Sequence, residues 1–242
     1  MEPSSPAGAT DVERPVLRAR LDAMALLHWP CEPADVARLV PEPLRVDAHE
    51  GAAWVGLVPL EVPGIGLSPR RGLAGRGGFR ATVVVTYVVG PDGREGTHVL
   101  STDTSRIGAA TLVRTVLDVP ARWSRLHIEQ VGPTVTYACR RRWPGPRGAT
   151  SKLSIRVGAE VAATDLDRFL GRRRVLWSSG RGWAGAAPFS HEGAALHTAA
   201  IVGLEDDLLS AAGVPPPTGG PHVRFCPGLD AAVGRRRRVT GG

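Results

Sequence analysis

The stretch Phe79 to Val89, FRATVVVTYVV, limits this chain's options more than any other. It is dense in valine and threonine, whose branched Cβ atoms crowd a helix and suit a pleated surface, so it is predicted to be a strand. Gly90-Pro91-Asp92-Gly93 follows. Proline presets φ for a turn and glycine supplies the left-handed position, so Gly96 to Asp103 should return as a hairpin partner. On that partner His98, Leu100 and Thr102 would face one way, and Val99, Ser101 and Asp103 the other.

Other segments read the same way. Strands are expected at Leu21 to Trp29, Ala53 to Leu60 (with Gly56 as a bulge), Arg125 to Gln130, Thr134 to Arg142, Lys152 to Val161 and His222 to Cys226. A short helix should follow Glu32-Pro33. A longer one is predicted over Ser105 to Leu117, capped by Thr104 or Asp103, and others over Thr164 to Leu170 and Leu204 to Ala212. Pro63 to Gly78 reads as a surface loop or pocket lid, since its glycines lack the third position of a phosphate-binding G-x-G-x-x-G. Many strands, few helices and no regular βαβ alternation predict a mainly β (α+β) antiparallel barrel or sandwich. The expected division is a disordered tail over 1–13, one domain over 14–232, and a basic disordered tail over 233–242.

Composition narrows the functional classes. A chain of 242 residues, 43% hydrophobic, can bury a core without covalent staples. Cys31, Cys139 and Cys226 are odd in number and widely spaced, which predicts reduced thiols and no metal site. Met1 to Thr10 lacks the apolar core of a secretory signal, and no stretch approaches the ~20 apolar residues of a membrane span. A cytoplasmic location with no membrane partner is expected. The net charge of +7 comes from arginines, Lys152 being the single lysine, and four of the arginines form the run Arg235 to Arg238. With aromatics at 5% and no stacking motif, nucleic acid is not the expected partner.

Several pieces carry a family resemblance: Leu27-His28-Trp29-Pro30, Leu39-Val40-Pro41 with Val46-Asp47, Ala53-Trp54-Val55-Gly56-Leu57-Val58-Pro59, Thr86-Tyr87-Val88, and Leu100-Ser101-x-Asp103. Leu170 with Arg173, His191, and Pro221 to Asp230 follow in order. The chain resembles the YqjF-like proteins, the domain of unknown function 2071 family, in the acetoacetate-decarboxylase-like superfamily. The resemblance implies a curved sheet closing into a barrel-like cone around a pocket. In the namesake decarboxylase it implies a pocket lysine that forms a Schiff base with a β-keto acid.

This sequence departs from that pattern. Where YqjF-like proteins carry Glu-x-Asn-x-Arg-Thr-Tyr, this chain has Ala81-Thr82-Val83-Val84-Val85-Thr86-Tyr87. Three polar positions on one strand face have become apolar. Lys152 lies outside the stretch where the decarboxylases place their amine, and it reads as an exposed strand-start residue.

The expected function is therefore small-molecule binding in an inherited pocket without Schiff-base decarboxylation, and no cofactor. The candidate ligand-binding residues are His28, Trp54, Val83, Val85, Tyr87, Ser101, Asp103 and Arg114. Asp103 could equally cap the following helix, and Arg114 could sit in an ion pair. Two alternatives stand beside this reading. One is a lyase or hydratase acting on a carbonyl compound, with His28 or Asp103 as acid/base; the other is a basic nucleic-acid-interacting module. The sequence leaves open whether any reaction is catalysed and whether the chain forms a homo-oligomer.

Overall fold

The computed structural model describes residues 12, 14–67, 78–180, 183–191, 195–217 and 219–240. In chain order the strands begin β1 (Pro15–Cys31), β2 (Arg45–Val46), β3 (Ala48–His49), β4 (Ala52–Val62), β5 (Ile65–Leu67), β6 (Phe79–Val89), β7 (Glu95–Thr104) and β8 (Ala121–Val131). They continue as β9 (Thr134–Trp143), β10 (Thr150–Val161), β11 (Val175–Gly180), β12 (Trp183–His191), β13 (Leu196–Asp206), β14 (His222–Gly234) and β15 (Arg237–Val239). Between them run α1 (Pro33–Ala37), α2 (Ile107–Leu117), α3 (Asp165–Gly171) and α4 (Leu208–Ala211).

Among the described residues all fifteen strands belong to one sheet, and the sheet closes. Pairing runs β7-β8-β9-β10-β13-β14-β1-β4-β6, and β6 then pairs back onto β7. Closure removes the unpaired edges that long valine-rich strands would otherwise expose. The strands β11 and β12 bridge β7 to β14 and add a flap to this ring. Most pairs are antiparallel, but β7 pairs with both β8 and β11 in parallel. The first of these parallel pairs requires a crossover, and α2 supplies it.

The hairpin predicted around Pro91 is present. Gly93 has φ near +80°, its N–H donates to the Gly90 carbonyl, and Asp92 accepts from the Arg94 backbone and guanidinium. The alternation expected along β7 is broken by a bulge: Val84 pairs with Ser101 but Val85 with Val99, which leaves Leu100 unpaired. Gly56 is not a bulge; it pairs in register with His28 on one side and Val85 on the other.

Strand periodicity divides β1 and β6 between two interiors. Ala25, Leu27 and Trp29 of β1 and Val84 and Val88 of β6 enter the main core with Val135, Tyr137, Leu153, Ile155 and Trp177. The opposite faces carry Met24, His28, Ala81, Val85 and Tyr87. Both faces are buried, which explains the near-continuous apolar runs of these strands. The Trp177 indole fits against Gly90 and Gly96, where a Cβ would stand 2.1 and 2.5 Å from its ring atoms.

Several expectations are corrected. Val175–Gly180, Trp183–His191 and Leu196–Asp206 are strands; the last takes the first three residues of the helix expected over Leu204 to Ala212, which is present but shortened to α4. Their Gly, Ala and Ser content gives little β signal, so pairing with neighbours decides them. The basic segment expected to be disordered instead contains β15, which pairs with Ala184 to Ala186. There Arg236 and Arg238 flank the Trp183 ring at 5.6 and 5.5 Å, and Arg236 also pairs with Asp118. Helix α2 starts at Ile107 with Arg106 as its N-cap and no side-chain cap. Thr104 bonds to the Arg106 and Arg122 carbonyls, and Asp103 is engaged elsewhere. The tail expected over 1–13 lies outside the described residues except for Val12, and most of the loop over Pro63 to Gly78 lies outside them too.

Candidate functional site

Helix α3 and the second face of β1, β6 and β14 together line a partly open cavity of about 440 Å³. The sequence dictates the start of this helix. Thr164 accepts from the Asp167 N–H, and the Asp167 carboxylate accepts from the Thr164 N–H and hydroxyl, a complete capping box. That cap turns Asp167 toward β14, where it also accepts from His222 Nε2 at 2.7 Å and from the Arg224 guanidinium at 3.2 Å. Burial alone would raise its pKa. The His222, Thr164 and Arg224 contacts outweigh it and hold the carboxyl at about 2.

The cavity walls are mostly apolar: Leu21, Met24, Leu26, Val58, Val85, Leu170, Phe189, Leu196 and Leu229. Against them stand a few polar groups. His28 is 4% exposed, and its Nε2 lies 2.8 Å from the Tyr87 hydroxyl. Its ring rests on Gly56, where a Cβ would stand 2.6 Å from Nε2. Burial pushes the His28 pKa down to about 3, with the neighbouring His222 adding to the effect. Burial likewise raises that of Tyr87, partly offset by Arg173. At neutral pH the pair is thus an uncharged imidazole and an uncharged phenol.

Neutrality leaves His28 half satisfied. If Nε2 accepts the phenol proton, then Nδ1–H has no acceptor; if Nε2 donates, the Nδ1 lone pair has no donor. His28 Nδ1 is buried without a partner in either case. Two other wall residues share this condition. His191 bonds through Nε2 to the Gly171 carbonyl at 2.8 Å and leaves Nδ1 buried and unpaired. Arg173 donates to Asp47 at 2.5 Å, Glu95 at 3.2 Å and the Phe169 carbonyl at 2.7 Å. Its guanidinium stacks 4.1 Å from the Phe169 ring centre and 5.2 Å from that of Tyr87, with Nη2 unpartnered. Unpaired buried polar atoms each cost about 1–3 kcal/mol, so three in one cavity wall mark a place where a polar ligand would be stabilised.

Of the residues named from sequence, the structure brings together His28, Val85 and Tyr87 in the cavity wall. Trp54 and Val83 pack beside it, against the cluster formed by Val99, Ala110 and Val113. Ser101 and Asp103 belong to another place. Asp103 accepts from Arg141 Nε at 2.9 Å and Nη2 at 2.7 Å and from the Ser124 hydroxyl at 2.5 Å, while Ser101 accepts from Arg141 and Arg122. The register of β7 with β8 and β9 makes this buried network, not the cavity. Arg114 is solvent-exposed on α2 and forms no ion pair among the described residues. Lys152 is exposed on β10, whereas Ala81 and Val85 are buried.

Sequence reasoning passed over Asp167, His222 and Arg224. His222 faces His28 across the β1–β14 pairing, which joins the two ends of the domain and has no local signature. The Thr164-x-x-Asp167 spacing was the one signal available. Among the described residues no three His, Cys, Asp or Glu side chains gather closely enough to hold a metal ion.

The family model for the uncharacterized conserved proteins of domain of unknown function 2071 matches residues 18–230. The uncharacterized protein YqjF of Bacillus subtilis (strain 168) is 24% identical over 127 residues, 52% of this chain and 52% of that protein. The match thus spans about half the length of that curated relative. Among solved structures, the enduracididine biosynthesis enzyme MppR superposes with a TM-score of 0.67 at 14% identity, covering 99% of this chain and 93% of that one. An acetoacetate decarboxylase-like enzyme from Sphingomonas wittichii RW1 gives 0.64 at 14% identity, covering 98% and 97%. Acetoacetate decarboxylase from Legionella pneumophila gives 0.63 at 11%, covering 98% and 93%. These likenesses establish the acetoacetate-decarboxylase-like fold.

Proposed function

Starting from the fact that this chain belongs to the domain of unknown function 2071 family, we propose that it binds a small, largely apolar carboxylic acid in the cavity beneath α3, without imine chemistry. One observation carries the reading: an apolar cavity of about 440 Å³ whose wall holds three buried nitrogens without partners, on His28, His191 and Arg173. A carboxylate offers the acceptors that Arg173 Nη2 and the Nδ1–H tautomer of His28 lack, and its carbon chain matches the Leu, Met and Val walls. His191, whose Nε2–H is spent on the Gly171 carbonyl, presents an acceptor at Nδ1 and suits a hydroxyl on the ligand. A neighbour of the same fold, MppR, was solved in complex with pyruvate, also a small carboxylate. The amine needed for a Schiff base has no counterpart in the wall, since the single lysine stands exposed on β10.

The test has two arms. Native mass spectrometry of the purified protein, before and after denaturation, reads any retained ligand. A panel of short-chain carboxylates is then screened by thermal unfolding; a ligand at 100-fold its Kd adds about 2.7 kcal/mol, or roughly 5–10 °C for a domain this size. His28→Gln should reduce the shift. The reading fails if no acid shifts the midpoint and nothing is retained. It fails in its second part if borohydride with pyruvate adds mass at Lys152.

A second reading, a lyase or hydratase acting on a carbonyl, draws on the 2.8 Å contact between His28 and Tyr87. A neutral phenol backed by a neutral imidazole can donate a hydrogen bond to a carbonyl oxygen. Asp103 takes no part in this version, because Arg141 holds it outside the cavity. Turnover of a bound 2-oxo acid that is abolished by Tyr87→Phe, with binding retained, would favour catalysis over storage or sensing.

A further inference from the structure

A second concave surface lies on the β8–β9 hairpin, away from the cavity. It is an open groove of about 1030 Å³. Trp123 and Trp143 are direct cross-strand partners, 37% and 55% exposed. On the same exposed face, one pair beyond Ser124–Arg141, Arg125 stands directly opposite Arg140. Like charges facing across an antiparallel pair are destabilising, and neither arginine has a carboxylate partner among the described residues. Arg142 and Arg147 complete the rim, and among the described residues no acidic side chain lines the groove.

Arg141 and Ser124, the intervening pair, turn to the opposite, buried face and are spent on Asp103 and Ser101. Among the described residues the exposed face is thus left to arginines without acidic neighbours, a surface that answers an anion. Two exposed indoles beside it answer a flat ring. Low aromatic content overall argued against such a site, but the bulge between Trp123 and Ser124 collects two of the tryptophans at one spot.

From this we propose that the groove binds a nucleotide unit, the base against Trp123 and Trp143 and the phosphate on the arginines, either free or within a single strand. The test uses the full chain with adenosine monophosphate in calorimetry and a fluorescein-labelled 12-mer of single-stranded DNA in anisotropy. Trp143→Ala should weaken binding about tenfold, in line with the loss of one stacked base. Arg125→Ser with Arg140→Ser should weaken it comparably and flatten the salt dependence by about 1.4 in log–log slope, at about 0.7 for each phosphate no longer neutralised. Arg235→Ser with Arg237→Ser removes the same charge from the distant segment that leads into β15 and should change binding less than twofold. Saturable binding of the mononucleotide points to a free ligand; binding of the 12-mer alone points to a strand. The proposal is overturned if neither probe binds. It is overturned as well if the distant pair weakens binding as much as the groove pair, which would mean bulk charge. Sedimentation showing a dimer that Trp143→Ala dissociates would reassign the face to a second copy of this chain.

Discussion

Removing the carboxylate of Asp103 should destabilise the domain more than removing any polar group that lines the cavity. Asp103 and Arg141 are 1% and 0% exposed and share two charge-assisted hydrogen bonds, at 2.9 and 2.7 Å, with a third reaching Asp103 from Ser124. Asp103→Ala would leave a full guanidinium charge buried with only the Ser101 hydroxyl as acceptor. Orphaning a buried charge costs about 3–5 kcal/mol. At 2–4 °C per kcal/mol for a chain of this size, the unfolding midpoint should fall by roughly 6–20 °C. Replacing both partners, Asp103→Leu with Arg141→Met, removes the charge along with its counter-ion and should return most of that loss. Urea unfolding of wild type, Asp103→Leu, Arg141→Met and their combination in a double-mutant cycle reads the coupling, expected to exceed about 2 kcal/mol. A single-variant loss below about 1 kcal/mol, or a double variant as unstable as the sum of the two singles, would refute the reasoning. The result also bears on function, because a group engaged this way belongs to the frame that connects β7, β8 and β9 and not to the ligand cavity.

Gly56→Ala should push the His28 ring off Tyr87, since the new Cβ would meet Nε2 at 2.6 Å and Val85 at 3.0 Å; a stability loss of about 1–3 kcal/mol by denaturant titration is expected, recovered in part by His28→Ala in the same chain. Asp167, held at about 2 in the fold and near 3.8 when free, stabilises the native state above pH 4 and loses that contribution as pH falls toward 2. The stability gap between wild type and Asp167→Asn should therefore be full at pH 5 and close on acidification, as circular dichroism melts at stepped pH would read. The three cysteines are free and buried, and burial raises their thiol pKa values, so a disulfide reagent at pH 8 should leave them unmodified in the native protein and label all three in urea.

Much of the architecture could be read from residue order alone, because strand signals are local. The valines and threonines of Phe79–Val89, the turn at Pro91 to Gly93 and the alternation of Leu153 and Ile155 each act within a few residues. The same locality placed Ala81, Val83 and Val85 on one strand face and Lys152 at an exposed strand position; set beside the family resemblance, these gave the expectation of a pocket without an amine.

What a residue faces across the sheet is not local, and only the closed structure decided it. A one-residue bulge at Leu100 and the pairing of β7 with β8 assigned Ser101 and Asp103 to Arg141, although by type they fitted a ligand site equally well. Strand β14 brought His222 and Arg224 beside His28 and Asp167 from the far end of the chain. The physical reason is the same throughout: backbone propensity specifies that a strand forms, while register, set by closing the ring, specifies which buried charge each side chain meets.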